Sequence, residues 1–292
     1  MSVRPPSPPS PLSSSESNDA PTPSIPRKKV TIQELHTLRQ SSTPITMITA
    51  YDYPSALACS SSSLVDITLV GDSLAQVCLG YASTTQLTLS EMVHHARAVA
   101  RGTKHPFLVA DMPYGSYHTS VSDAVANAVR LVQEGRVEAV KVEGGREIVD
   151  VVQRLTEVGI PVMAHVGLLP QDTAAFWRGR CQKVLYDALA LEDAGAFAMV
   201  IEAVPQELGQ FITQKVKIPT IGIGAGPHTS GQVLVYDDIM GTWSATKQIL
   251  RDSAIEAYCS AVRSRDFPHK DSESYSMDRK EFERFCSQRR GH

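Results

Sequence analysis

The sequence predicts an α/β fold, a closed TIM (β/α)8 barrel of parallel strands, on three observations. Eight short apolar runs recur along the middle of the chain, amphipathic helical patterns separate many of them, and several runs end in a polar or acidic residue. Eight strand–helix units in one chain favour closure over an open doubly wound sheet, and closure gathers the strand C-termini on one face.

In chain order the strand candidates are ITMITA (45–50), DITLV (66–70), FLVAD (107–111) and AVKVE (139–143), then PVMAH (161–165), FAMVIE (197–202), PTIGIG (219–224) and VLVYD (233–237). In SEMVHHARAVARG, residues Met92, Val93, Ala96 and Val99 form an apolar stripe at helical spacing. In VSDAVANAVRLVQEG, residues Val125, Ala128, Val129 and Val132 do the same. Glycines 102, 135, 159 and 195 follow helical segments, where a left-handed residue closes a helix. The run GIGAG (222–226) lacks the GxGxxG spacing and acidic partner of a dinucleotide fold. Backbone donors there could serve a phosphate-binding barrel enzyme, but a tight packing turn is the simpler reading.

Bulk properties set the boundaries. The chain has 292 residues, of which 42% are hydrophobic, and a formal net charge of −3. That balance, with no basic stripe interleaved with aromatics, excludes a nucleic-acid footprint. No apolar run of membrane-spanning length is present. Five cysteines, Cys59, Cys78, Cys181, Cys259 and Cys286, show no CxxC or zinc spacing and fit a reduced compartment. Residues 1–26, rich in proline and serine, read as a disordered tail. Residues 27–264 read as a single barrel domain, and 265–292 as a polar tail ending in a short helix around MDRKEFERFCSQ.

The stretch VEAVKVEGG (137–145) carries a lysine and a glutamate inside a hydrophobic strand. Lys141 and Glu143 lie two apart and share one face, opposite Val140 and Val142. Other strands end similarly, with Asp72 beyond the second, Asp111 on the third, His165 on the fifth and Glu202 on the sixth. A single acidic residue at a strand end is usually a loop hydrogen-bonder or helix cap. Three successive strands ending in Asp72, Asp111 and Glu143, with Lys141 beside the last, are costly to bury without a cation or ligand. Their oxygen donors favour a hard divalent cation such as magnesium. His165 reads equally well as a structural hydrogen-bonder or a participant, and Glu202 as a base or a polar contact. Cys78, Cys181 and Met199 read as structural, and His94–His95 as helix residues with no metal spacing.

These residues lie in blocks that closely resemble the ketopantoate (3-methyl-2-oxobutanoate) hydroxymethyltransferase family. The matching blocks are TAYDYPSA (49–56), LVGDSLAQVCLG (69–80), VADMPYGSY (109–117), VKVEGG (140–145), HVGLLPQ (165–171), DALALEDAGAFAMVIEAVP (187–205) and IPTIGIGAG (218–226). The resemblance implies a barrel of the phosphoenolpyruvate/pyruvate-like type that uses Mg2+. It also implies transfer of a one-carbon unit from 5,10-methylenetetrahydrofolate to 3-methyl-2-oxobutanoate, an early step toward pantothenate and coenzyme A. Asp72 and Asp111 are then metal ligands and contacts of the bound ketoacid, and Glu143 the third metal-site carboxylate. Ser73 and Lys141 contact the ketoacid, His165 lies in the substrate pocket, and Glu202 is the proton acceptor. The partners implied are the ketoacid and folate, with a homo-oligomer of this chain. The compartment implied is the mitochondrion, with the cytoplasm as alternative.

Two departures from the family pattern stand out. After HVGLLPQ the family's glycine-rich segment and further linker give way to DTAAFWRGRCQKVLY (172–186), so that about a dozen residues are absent. After VYDDIMG a PKF-like extension gives way to GTWSATKQILRDSAIEAY (241–258). Shortened loops after the fifth and eighth strands therefore leave a second reading, a non-catalytic subunit assembled with an intact relative.

Overall fold

A computed structural model describes residues 27–167, 180–242, 254–269 and 278–287. The Pro/Ser-rich segment 1–26 and the cores of both departures, 168–179 and 243–253, lie outside the described residues. Eight parallel strands close in sequence order into a barrel. They are β1 (Ile45–Thr49), β2 (Ile67–Val70), β3 (Phe107–Asp111) and β4 (Ala139–Glu143). The remaining four are β5 (Val162–Gly167), β6 (Ala198–Glu202), β7 (Thr220–Ile223) and β8 (Gly231–Leu234). The helices are α1 (Ile32–Gln40), α2 (Tyr53–Ser61), α3 (Leu74–Val77), α4 (Leu89–Gly102), α5 (Val121–Gln133) and α6 (Val149–Glu157), then α7 (Arg180–Asp193), α8 (Gln206–Lys215), α9 (Tyr236–Met240), α10 (Ala254–Ser264) and α11 (Arg279–Ser287). No helix among the described residues is long and apolar enough to cross a membrane.

Alternation along each strand divides the core into two. One set of side chains fills the barrel, including Ile45 and Met47 on β1, Ile67 and Leu69 on β2, Phe107 and Val109 on β3, and Met163 on β5. Leu35 of α1 joins this set and stops the N-terminal mouth. The opposite set, among them Ile48, Val70, Leu108, Val140, Val142 and Met199, packs outward beneath the helices. Residues of the inner parity become polar toward the C-terminal ends, with Asp111, Lys141, Glu143, His165 and Glu202 continuing the rows begun by apolar residues. The barrel therefore needs no separate scaffold for its site. The site is the top of its own interior.

The α4 stripe is buried as read, through Met92, Val93, Ala96 and Val99, and a reciprocal Thr88–Glu91 cap fixes where the helix starts. The α5 face is rotated from expectation. Ala124, Ala128 and Leu131 are fully buried, while Val125, Val129 and Val132 pack only partly. Small residues let that face sit close, which places the larger valines at its flanks.

Two of the four expected left-handed glycines, Gly159 (φ 85°) and Gly195 (φ 101°), adopt that conformation. Gly102 instead permits close approach to α2, because a Cβ there would come within 2.8 Å of the Ala56 Cβ and the Tyr53 carbonyl. After Gly135 it is Arg136 that takes the positive φ, 61°. Cys78 is exposed rather than in the core, since the short α3 leaves it at the surface.

The eighth strand begins two residues earlier than the apolar run 233–237 suggests. Gly231 pairs with Ile45, whose carbonyl leaves no room for a Cβ, and Tyr236 and Asp237 already belong to α9. Near the C-terminus, α11 places a buried Phe285 edge-on to Phe211 of α8, with ring centroids 5.2 Å apart.

A buried carboxylate ties the segment before α1 and helix α10 to the N-terminal mouth. Asp66, just before β2, accepts Thr46 N–H (2.8 Å), Arg263 Nη2 of α10 (2.8 Å) and Arg27 Nη2 (3.1 Å). Burial raises its pKa, a rise opposed by Arg263, the Thr46 amide and Arg27. Asp66→Ala would leave both guanidiniums unpaired. Because each keeps about a quarter of its side chain exposed, the loss should fall near the lower end of the range for a broken buried pair, about 3 kcal/mol. Chemical denaturation should show this as a lowered midpoint, and an unchanged midpoint would remove Asp66 as a strap.

Candidate active site

The strand ladder dictates which polar groups meet. Asp111 on β3 is the register partner of Lys141 on β4, and Glu143 is the partner of His165 on β5. The four therefore form two adjacent levels. Lys141 Nζ lies 3.1 Å from Asp111 Oδ1, 2.5 Å from Glu143 Oε1 and 3.1 Å from His165 Nδ1. His165 Nδ1 stands 2.9 Å from the same Glu143 oxygen, and its Nε2 reaches to 3.4 Å from Glu202 Oε2 on β6. From β2, the Asp72 backbone N–H donates to Asp111 Oδ2 at 2.9 Å. Asp72, Asp111 and Glu143 each offer an oxygen within 4.8 Å of the others.

These groups line one cavity of about 370 Å³, together with Ser73, Gln76, Ser83 and Thr84 from the β2 side. Five of the sequence-derived positions (Asp72, Ser73, Asp111, Lys141 and Glu143) come together in it, and His165 and Glu202 complete the wall. Lys141 and His165 are almost sealed, at 4% and 2% exposure, whereas Glu202 lines the cavity with about a third of its side chain exposed.

Burial and mutual charge set the protonation. For Asp111, burial pushes the carboxyl up; Lys141 opposes this, Asp72 and Glu143 reinforce it, and the result is about 7. Asp72 also rises, through burial and then the Glu143 charge. Glu143 goes the other way, because His165 and Lys141 together outweigh its burial. Burial alone would discharge Lys141, but Asp111, Glu143 and Asp72 hold the ammonium well above its ordinary range. Glu202 is raised by burial, with His165 pulling against it.

The residues present fit a hard divalent cation. All three clustered groups are carboxylates, and Asp111 Oδ1 is buried without a hydrogen-bond donor, its approach to Lys141 being an ion pair out of line for a bond. His94 and His95 stay outside the cavity, and His95 Nδ1 meets the Tyr51 carbonyl at 2.6 Å.

Sequence reading missed the hydroxyls that frame this cluster. Tyr117 Oη donates to the Glu143 carbonyl (3.1 Å) and accepts from the Glu143 N–H (3.2 Å), clamping the end of β4. Thr49 and Tyr51 stand behind Ser73. Their parity in TAYDY was the available signal, since Thr49 continues the inward row of Ile45 and Met47.

Fold and site together define a (β/α)8 enzyme with an oxygen-rich acidic centre at its strand C-termini. Among solved structures of the same fold are phosphonopyruvate hydrolase in complex with oxalate and Mg++ (TM-score 0.58, 16% identity, covering 89% of this chain and 96% of that one) and phosphoenolpyruvate phosphomutase from Streptomyces platensis subsp. rosaceus (0.57, 15%, 80% and 90%). At such identities the likeness establishes the barrel alone.

The sequence relationship is far narrower. The chain belongs to the ketopantoate hydroxymethyltransferase family, whose model matches residues 29–270. It is 45% identical over 260 residues to 3-methyl-2-oxobutanoate hydroxymethyltransferase of Deinococcus radiodurans, covering 82% of this chain and 91% of the relative. Against the enzyme of that name from Emericella nidulans it is 48% identical over 242 residues, covering 80% and 67%.

If the acidic cluster holds the cation, Asp111→Asn keeps the side-chain volume but weakens a hard-cation ligand. Calorimetric titration with magnesium should show affinity reduced at least tenfold, on the scale of the roughly 10–100-fold that even outer-shell changes cost. The circular-dichroism spectrum should not change. Equal magnesium affinity in the folded variant would remove Asp111 from the centre.

Proposed function

We propose that this chain transfers a hydroxymethyl group from 5,10-methylenetetrahydrofolate to 3-methyl-2-oxobutanoate, giving 2-dehydropantoate and tetrahydrofolate. The observation that carries the reading is the unbroken set of Asp72, Asp111, Lys141, Glu143, His165 and Glu202 around one cavity, in a chain of this family.

Asp72 and Asp111 would hold a magnesium ion, with Glu143 as the third carboxylate of the centre. The bound ion would supply Lewis-acid polarisation of the ketone. Lys141 places a permanent positive charge beside the ketoacid oxygens, where it offsets the negative charge of the enolate. Glu202, open to the cavity, takes the C3 proton as general base. Its raised pKa suits that task better than a freely solvated carboxylate would, because the base is better matched to neutral pH. The C3 carbanion equivalent then forms a carbon–carbon bond to the methylene carbon. Both bonds from that carbon to folate nitrogen break, water supplies the hydroxyl, and the C3 proton and the water's second proton end on the two nitrogens of tetrahydrofolate. Lys141 acts as an electrostatic contact rather than a Schiff-base nucleophile: its ammonium is held well above the ordinary range and boxed by two carboxylates.

The described rim is complete, which favours turnover over a purely structural subunit. The same reading makes the chain a mitochondrial homo-oligomer, with the cytoplasm as the alternative compartment. Native mass in solution and microscopy of the full-length protein with a free N-terminus test these two points.

Tetrahydrofolate formation should require the ketoacid and magnesium together. Glu202→Gln should lower kcat by about 10²–10⁴-fold, the usual worth of a positioned base, with a smaller change in KM for the ketoacid. Folded wild-type protein that forms no ketoacid-dependent product would overturn the reading. A Glu202→Gln variant of full activity would reassign the base.

A further inference from the structure

A line of hydrogen bonds that includes no metal-site carboxylate runs from the end of β8 to the β2 side of the cavity. The Tyr236 backbone N–H donates to Thr49 Oγ1 at 2.8 Å. Thr49 Oγ1 donates to Tyr51 Oη at 2.7 Å. Tyr51 Oη lies 2.9 Å from Ser73 Oγ, where the geometry permits either hydroxyl to donate. Thr49 and Tyr51 are buried, and Thr49 and Ser73 line the cavity.

Counting protons removes the ambiguity at the last link. A backbone N–H only donates, so Thr49 Oγ1 accepts from Tyr236, and the geometry of its contact with Tyr51 directs its single proton there. A phenol also has one proton. With Tyr51 Oη already accepting from Thr49, that proton goes to Ser73 Oγ. The Ser73 hydrogen is then unused by the line and is left for the cavity. Burial pushes the Tyr51 phenol far above its ordinary range, so it stays a donor. Gly71 closes the space around the line, since a Cβ there would stand 3.0 Å from Ser73 Oγ and 3.3 Å from Thr49 Cγ2.

We propose that Thr49 and Tyr51 are positioning residues that fix the Ser73 hydroxyl as a hydrogen-bond donor to an anionic oxygen of the ketoacid. Direction matters here. A carboxylate only accepts, so a serine whose proton pointed at Tyr51 would present its lone pairs to an anion. The line sets the serine's polarity before the substrate arrives. This rests on the ketoacid reading above, and deepens it by assigning a role to the two groups that support Ser73.

The test is a double-mutant cycle on Tyr51→Phe and Ser73→Ala. It is read both as the Kd of 3-methyl-2-oxobutanoate by calorimetry in magnesium and as steady-state kinetics. Tyr51→Phe should raise Kd and KM for the ketoacid about three- to tenfold, the scale of one oriented hydrogen bond, and leave kcat within about twofold. In the Ser73→Ala background the same change should have almost no effect. Thr49→Ala, which cuts the line one step earlier, should repeat this pattern and closes the cycle should Tyr51→Phe not fold. Thr49→Ser should restore wild-type affinity.

An unchanged Kd in Tyr51→Phe, or an equal loss with and without Ser73, overturns the proposal, the second outcome marking a packing role. Wild-type protein that binds the ketoacid without turnover ends the transferase reading, while the binding cycle still decides this one. Wild-type protein that binds no ketoacid overturns both.

Discussion

A lysine ammonium sealed inside a barrel is the constraint on which the rest of this site depends. Lys141 keeps 4% of its surface exposed, and an ion in that position is stable only with opposite charge in contact. Asp111 and Glu143 supply it, one from the neighbouring strand and one from two residues further along the same strand. Yet the compensation overshoots. Asp72, Asp111 and Glu143 bring three carboxylates within 4.8 Å, against one ammonium and the imidazole of His165. Repulsion and burial therefore push two of the three, Asp72 and Asp111, toward their neutral forms. A divalent cation reverses that push, because it favours the ionised form of every carboxylate it meets. Such a cation, where bound, would stabilise the charged state of all three carboxylates.

The barrel makes this arrangement possible because interior and site are the same rows of residues. Ile45 and Met47 lead to Thr49, Phe107 and Val109 lead to Asp111, and Ala139 leads to Lys141 and Glu143. Low in the barrel these rows are apolar, packed on each other and on Leu35 of α1, which gives the strands a rigid footing. A one-residue slip of β4 would turn Lys141 and Glu143 onto the helix side and bring Val140 and Val142 into the cavity. Register here is therefore a condition of chemistry as well as of packing.

What the sequence made legible follows from the same rule. Period-two alternation needs only the local chain, so Lys141 and Glu143 could be placed on one face, and the ends of β2, β3, β5 and β6 recognised as a shared rim. Errors arose where a longer-range contact decides. The start of β8 is set by Gly231 fitting against the Ile45 carbonyl, a pairing across the closing seam that no local apolar run encodes. The buried face of α5 is chosen by small residues that admit close packing, not by the bulkiest apolar ones. Thr49 and Tyr51 looked like an ordinary strand end because their partners come from β2 and from the residues after β8. The substrates were legible only through ordered family blocks. A cluster of carboxylates with a lysine defines a cation and an anion, and many reactions on this fold use both.

His165 gives the cluster its continuity. Its Nδ1 meets Glu143 of the carboxylate cluster, and its Nε2 faces Glu202, the base of the proposed reaction. One imidazole thus spans the two halves of the chemistry, holding charge and taking up the proton. Each carboxylate lowers the cost of a positive charge on the ring, and the ring in turn favours the ionised form of both. From Asp111 through Lys141, Glu143 and His165 to Glu202, opposite charges alternate and each supports its neighbour, while Asp72 adds like charge at the Asp111 end. Groups coupled in this way do not contribute separable increments. Removing any member unbalances those on either side, so the unit that the barrel holds in place is the line of charges rather than any one residue in it.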